Sequence, residues 1–421
     1  MKIALIAYDF FPLKDGISHT LTNLCKVFKN KNHELYVFNP YYKDNRNFDI
    51  LDLKEYKIKD FKLILKNRKL LLILFFSIWN IFKDKRSSLT DKLYILLYFF
   101  FRPRILLKTL INIYNLYPYF TKLNFDIIFA GASGSDTLPL VFVLSRIFKK
   151  KVVTIAHGNE FLIHTAFSIR SYYYRNIEKI IVHTKKLREL LIKIHNVNEE
   201  RIEIIPPGLN LKDYEYSESV ADLRKEFNIP ERIHVLLSVG RHVSRKNFEL
   251  VIKAVFEIKK INPNINLRYY LIGKGPYTKN LRNLSKKLNL DNEIIFLGEC
   301  DDLVRNKFYK LADLFLMPSI AEKESIEGFG IVFLEANYFK LPVIGSFSGG
   351  MIESIIDNQT GLLIEPGNLQ DLVDKILYLL NNDDLRKNMG NLGHNRVIKN
   401  FNWEQLYFDY LTILKNLLKE K

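Results

Sequence analysis

Short, almost wholly apolar runs recur along this chain, each followed by a longer stretch with helical spacing. One series comprises Ile3–Ala7, Leu35–Phe38, Asp126–Ala130, Val152–Ala156 and Ile180–His183. A second comprises Val235–Val239, Leu267–Ile272, Ile294–Leu297, Leu314–Met317 and Val343–Ile344. Runs that are apolar throughout, without polar alternation, suit strands covered on both faces, and parallel neighbours need a helical crossover between them. The pattern therefore predicts an α/β protein with two doubly wound parallel sheets. Pro206-Pro207-Gly208 interrupts helix and strand alike and predicts the seam. The expected domains are 1–208 and 209–401, followed by an amphipathic helix over 402–419. A length of 421 residues suits two domains of ordinary size.

Several function classes lose ground on composition and motif. Two cysteines, Cys25 and Cys300, lie far apart and form neither a metal-ligand spacing nor a disulfide framework, which fits a reducing cytoplasm. The first residues carry no pattern of a cleaved secretory leader. A dinucleotide fingerprint needs G-x-G-x-x-G, and Tyr8 to Gly16 offers only one glycine. Gly273-Lys274-Gly275-Pro276 is glycine-rich, but no helix is expected immediately after it. No acidic or histidine cluster has metal spacing, so no metal is expected. The net charge of +17 invites an anionic partner, yet no nucleic-acid motif accompanies it.

The chemistry concentrates in two segments. Glu327-Gly328-Phe329-Gly330-Ile331 leads into a helix expected over Phe329 to Asn337, on which Glu335 stands about two turns on, ~12 Å along the axis. Gly328 and Gly330 let backbone approach a ligand, and free N–H groups at the helix start favour an anion. Upstream, Gly240-Arg241-His242-Val243-Ser244-Arg245-Lys246 follows an apolar strand. Arg241 and Lys246 thus fall on a loop beyond the carboxyl end of a strand, where open sheets bind ligands. Carboxylates hold hydroxyls, and fixed cations stabilise the charge that develops on a departing diphosphate.

With these motifs the chain resembles the retaining GT-B glycosyltransferases of family four, which carry Glu-x7-Glu and a Gly-Arg…Lys loop. The likeness extends to Lys2–Tyr8, Phe10–Ile17, Thr154-Ile155-Ala156-His157-Gly158, Ile204–Asn210, Leu271–Pro276, Phe296-Leu297-Gly298 and Pro318-Ser319. It departs at Asp15, where the family usually has glycine, and over Ile320 to Ile326, which exceeds the usual link. The resemblance implies two Rossmann-like domains facing a central cleft, the first binding acceptor and the second a nucleotide-sugar, with the last helix returning to the first. It implies that Glu327 holds a donor sugar hydroxyl and Glu335 the ribose. Arg241 and Lys246 would neutralise the diphosphate, helped by backbone N–H groups at Gly16 and after Gly330. Gly273 and Gly298 would line the nucleotide cleft, with Gly328, Phe329 and Ile331 at the donor helix. His157 would reach the sugar or the reacting phosphate. The implied reaction is metal-independent hexosyl transfer with a UDP- or GDP-sugar as co-substrate and no other cofactor. His164, His183 and His195 carry no functional signal of their own.

Residues 61–122 fall outside this template. They hold twelve Lys and Arg against Asp84 and Asp91, and their apolar runs Leu70–Phe82 and Tyr94–Phe101 are too short to span a bilayer. Basic, aromatic-rich helices of this kind lie in a membrane interface. The expectation is an anionic membrane surface as partner, a sugar or lipid-linked acceptor, and attachment to the inner face of the membrane. A soluble acceptor, or a catalytically silent binding protein, are the competing readings.

Overall fold

The computed structural model describes residues 1–7, 16–39, 54–55, 103–132, 134, 137–162 and 170–419. They form two compact units, Met1–Ile205 with Leu406–Lys421, and Pro206–Gln405. The glycine loop through Asp15 and residues 61–102 of the basic segment lie outside the described residues.

The first unit holds a seven-stranded sheet in the order β3-β2-β1-β4-β5-β6-β7. Its strands are β1 (Lys2–Ile6), β2 (Glu34–Phe38), β3 (Lys54–Glu55), β4 (Ile127–Ala130), β5 (Lys151–Ala156), β6 (Lys179–Val182) and β7 (Ile202–Ile204). Every neighbouring pair is parallel, as in β1 on β4, where Ile3 faces Ile127 and Ile6 faces Ala130. Residues 3–7, 127–130 and 152–156 are wholly buried, which explains their lack of polar alternation.

The second unit holds a six-stranded parallel sheet in the order β10-β9-β8-β11-β12-β13. Its members are β8 (His234–Val239), β9 (Leu267–Ile272), β10 (Ile294–Gly298), β11 (Leu314–Leu316), β12 (Val343–Ser346) and β13 (Gly361–Ile364). Its helices begin where short polar side chains accept orphan N–H groups: Asp301 from Val304, and Asn368 from Asp371. Chain order reverses direction between β8 and β11, and in the first sheet between β1 and β4. In an open parallel sheet the loops leaving such a pair diverge, so the crevice opens at their carboxyl ends.

Three strands lay beyond the sequence pattern. Lys54–Glu55 and Ile202–Ile204 are too short to show a period, and Gly361–Ile364 has a glycine at its head. A helix does follow Gly275, running from Thr278 to Lys287. The expectation of none fails because Thr278 bonds both the Gly275 N–H and its carbonyl, closing the turn within a few residues. Residues 103–122 belong to a helix, Pro103–Leu123, whose Leu110, Ile113, Leu116 and Phe120 are buried in the first unit. That third of the basic segment gives one apolar face to the core, while Arg104, Lys108 and Lys122 stay exposed. Both cysteines are free thiols, and burial pushes the Cys25 thiol well up.

Candidate functional site

The two loops at the second sheet's reversal point carry the site. After β8, a tight turn at Ser244–Lys246 ends on Asn247 in the left-handed region (φ 53°) before the helix Phe248–Ile261 begins. The turn directs Arg245 and Lys246 toward the chain leaving β11. Lys246 Nζ, buried, lies 2.7 Å from Glu327 Oε2 and 3.0 Å from Met317 Sδ. Arg245 Nη1 donates to the same carboxylate oxygen at 2.5 Å, and its backbone carbonyl accepts from Ile320 N at 2.9 Å. Two cations on one carboxylate leave a net positive charge at the carboxyl edge.

Burial alone would raise the Glu327 carboxyl, but Lys246 and then Arg245 outweigh it and hold it at about 2. Burial also draws Lys246 below its ordinary value, against the opposing pull of Glu327. The Glu327 backbone is held as well. Its carbonyl accepts from Gly350 N at 2.8 Å, and a Cβ on Gly349 (φ 57°) would stand 2.6 Å from that carbonyl.

Gly330, at φ 86°, opens the helix Ile331–Tyr338, two residues later than the sequence suggested. Phe329 is buried against Phe401 with ring centroids 5.7 Å apart, while Gly328 and Ile331 are half-buried. Gly273 and Gly298 lie at the ends of neighbouring strands, the Gly273 N–H donating to the Gly298 carbonyl at 2.6 Å. The backbone of Gly273 also touches that of Gly240, since a Cβ there would lie 2.0 Å from the Gly240 oxygen.

Two residues sit differently from their expected neighbours. Arg241 is exposed, and the guanidinium on Glu327 is that of Arg245. Sequence reasoning missed Arg245 because three cations on one loop cannot be ranked by spacing; the turn at 244–246 selects among them. Glu335 is buried, accepting from the Tyr214 hydroxyl at 2.9 Å and the Tyr309 hydroxyl at 2.7 Å, with Arg305 Nε at 3.9 Å. Burial and then the Glu335 charge drive both phenols well above their ordinary range. Glu335 thereby ties the turn at 211–214 to the helices Asp302–Leu311 and Ile331–Tyr338. No tyrosine so far away in sequence could have been paired with it by pattern.

In the first unit, Gly16 is exposed and opens the helix Gly16–Asn30. His157 follows β5, its Nε2 at 3.0 Å from the carbonyl oxygen of Gly131, which follows β4. Its backbone N–H donates to the Glu160 carboxylate.

Residues 14–213 match the family described as Glycosyltransferase Family 4, and residues 219–396 match Glycosyl transferases group 1. Among curated relatives, N-acetyl-alpha-D-glucosaminyl L-malate synthase of Bacillus anthracis is 28% identical over 64% of this chain and 69% of its own. A GDP-mannose-dependent phosphatidylinositol monomannoside mannosyltransferase of Mycobacterium tuberculosis is 31% identical, over 49% of this chain and 53% of its own length. A glycosyltransferase from Rickettsia africae superposes with a TM-score of 0.75 at 19% identity, each chain covered in full. Anabaena HepE, solved with UDP, gives 0.74 at 16% identity, with 99% of this chain and 100% of that one covered. With a family match on each half and this fold over its whole length, the chain belongs to the GT-B glycosyltransferases of the group 1 and family 4 type.

Proposed function

We propose that this glycosyltransferase moves a hexosyl unit from a nucleoside-diphosphate sugar, with retention at the anomeric carbon, to a sugar or lipid-linked acceptor of surface polysaccharide or glycolipid synthesis. The observation that carries the reading is the Glu327–Lys246–Arg245 cluster at the reversal point of the second sheet. Glu327, kept ionised, accepts from a donor sugar hydroxyl. Lys246 and Arg245, with Arg241 at the loop's exposed end, face the diphosphate. As the bond from the anomeric carbon to the phosphate oxygen breaks, the leaving group gains charge, and preorganised cations stabilise that charge more than the ground state. The acceptor hydroxyl attacks the same face, and its proton passes to a phosphate oxygen of the leaving group. The cations supply what a metal would otherwise supply.

Glu335, buried and tied to the Tyr214 and Tyr309 hydroxyls, is the carboxylate that this reading assigns to the ribose. Peripheral attachment to an anionic membrane surface rests on the composition of residues 61–102. Among the described residues no helix is long and apolar enough to cross a membrane. The burial of Leu110, Ile113, Leu116 and Phe120 in the first unit favours, as a second reading, a soluble acceptor approached by a protein that does not dock on lipid. A silent binding protein would have no need of a buried cation pair on Glu327.

Thermal-shift titration with UDP-, GDP- and ADP-sugars tests the donor reading. One class, at a hundred times its dissociation constant, should stabilise the protein by about 2.7 kcal/mol. No shift with any of them would remove it.

A further inference from the structure

Four consecutive strands of the first sheet, β4, β5, β6 and β7, are followed at their carboxyl ends by Gly131, His157, His183 and Ile205. These residues form one hydrogen-bonded row. His157 Nε2 lies 3.0 Å from the Gly131 carbonyl oxygen, His157 Nδ1 lies 3.0 Å from His183 Nε2, and His183 Nδ1 lies 2.9 Å from the Ile205 carbonyl oxygen. Both ends of the row are carbonyls, which only accept. The ring nitrogen at each end must therefore carry hydrogen, and the nitrogen–nitrogen contact in the middle needs a third. Two neutral imidazoles supply only two. The row is complete when the pair holds one extra proton.

The placement of that charge follows from burial. His183 is enclosed, and burial, with His157 beside it, pushes its pKa down to about 3. A neutral His183 with Nδ1–H on Ile205 offers a bare Nε2, so His157 must donate from Nδ1. His157 is half-exposed, and the Glu160 carboxylate accepts from its backbone N–H. Arg170 donates to the Glu160 backbone carbonyl.

From this geometry we infer that His157 is held as an imidazolium donating to Gly131 and His183, and that His183 is the positioning residue that keeps it so. An isolated histidine is mostly neutral above pH 7; this one retains its proton because both N–H groups have fixed acceptors. The catalytic consequence rests on the function proposed above: His157 presents a fixed cation to the diphosphate or the reacting sugar.

The test is nitrogen-15 NMR of histidine-labelled full-length protein at pH 7.5, assigned with His157→Gln and His183→Gln. His157 should show both ring nitrogens protonated, and His183 a protonated Nδ1 with a bare Nε2. A neutral His157 with one bare nitrogen overturns the inference, whatever the protein's activity. In donor hydrolysis, the alkaline limb of kcat/KM should fall about one pH unit lower in His183→Leu, a tenfold loss of proton affinity. His183→Gln, whose amide oxygen can accept the same N–H, should keep the limb near its original position. An unmoved limb in folded His183→Leu also overturns it. If the wild-type protein hydrolyses no donor, the functional reading fails while the NMR result still decides the pair.

Discussion

Glu327 shows why a residue's role depends on what surrounds it. In water its carboxyl would titrate in the ordinary range; here Lys246 and Arg245 hold it at about 2 despite burial. A carboxyl whose folded pKa is depressed contributes stability that is full above its unfolded value and is lost as pH falls through the folded one. The contribution should therefore be complete above about pH 4.5 and decline toward pH 2. Chemical denaturation of wild type and Glu327→Gln at pH 6 and pH 3 checks this: the wild type should lose more stability between the two. Equal losses would mean that the ion pairs form equally in the unfolded chain. For Glu335→Ala we expect a loss of about 3–5 kcal/mol, because two buried phenols lose their acceptor and Arg305 its counter-charge. Thermal denaturation measures it, and an unchanged midpoint would show the network to be dispensable.

The strands were readable because buried parallel strands are apolar throughout, and ten of them announced themselves in that way. Turn geometry was not readable. The turn at 244–246 decides that Arg245 joins Glu327 while Arg241 stays exposed, and it depends on Asn247 adopting the left-handed region. Long-range partners such as Tyr214 and Tyr309 for Glu335 leave no periodic trace either. The glycines were visible as residues, but their reasons differ. Gly273 abuts the Gly240 backbone at φ 122°, whereas a Cβ on Gly16 meets nothing within 4 Å. Gly273→Ala should therefore destabilise the protein by about 1–3 kcal/mol through overpacking. Gly16→Ala should be neutral or stabilising, since alanine favours a helix by up to about 1 kcal/mol over glycine. Denaturant midpoints of the two variants decide the contrast, and equal effects would contradict it.

For the whole molecule the central issue is which surfaces meet donor, acceptor and membrane. If residues 61–102 dock on an anionic leaflet, the protein should sediment with acidic-lipid vesicles, far less with neutral ones, and be partly released by salt, which screens charge over about 8 Å at physiological strength. Neutralising Lys66, Arg68, Lys69, Lys83, Lys85 and Arg86 should abolish binding while donor hydrolysis persists. Indifference of the wild type to acidic vesicles would favour the soluble acceptor. The claim beneath all of these is that the Glu327–Lys246–Arg245 cluster works on a diphospho-sugar. It is tested most directly by nucleoside-diphosphate release from the donor identified by thermal shift, comparing wild type with Lys246→Ala. The account predicts turnover lower by roughly 10²–10³ in the variant, the usual cost of one preorganised contact to developing charge, with donor binding much less affected. Unchanged turnover in folded Lys246→Ala would contradict it.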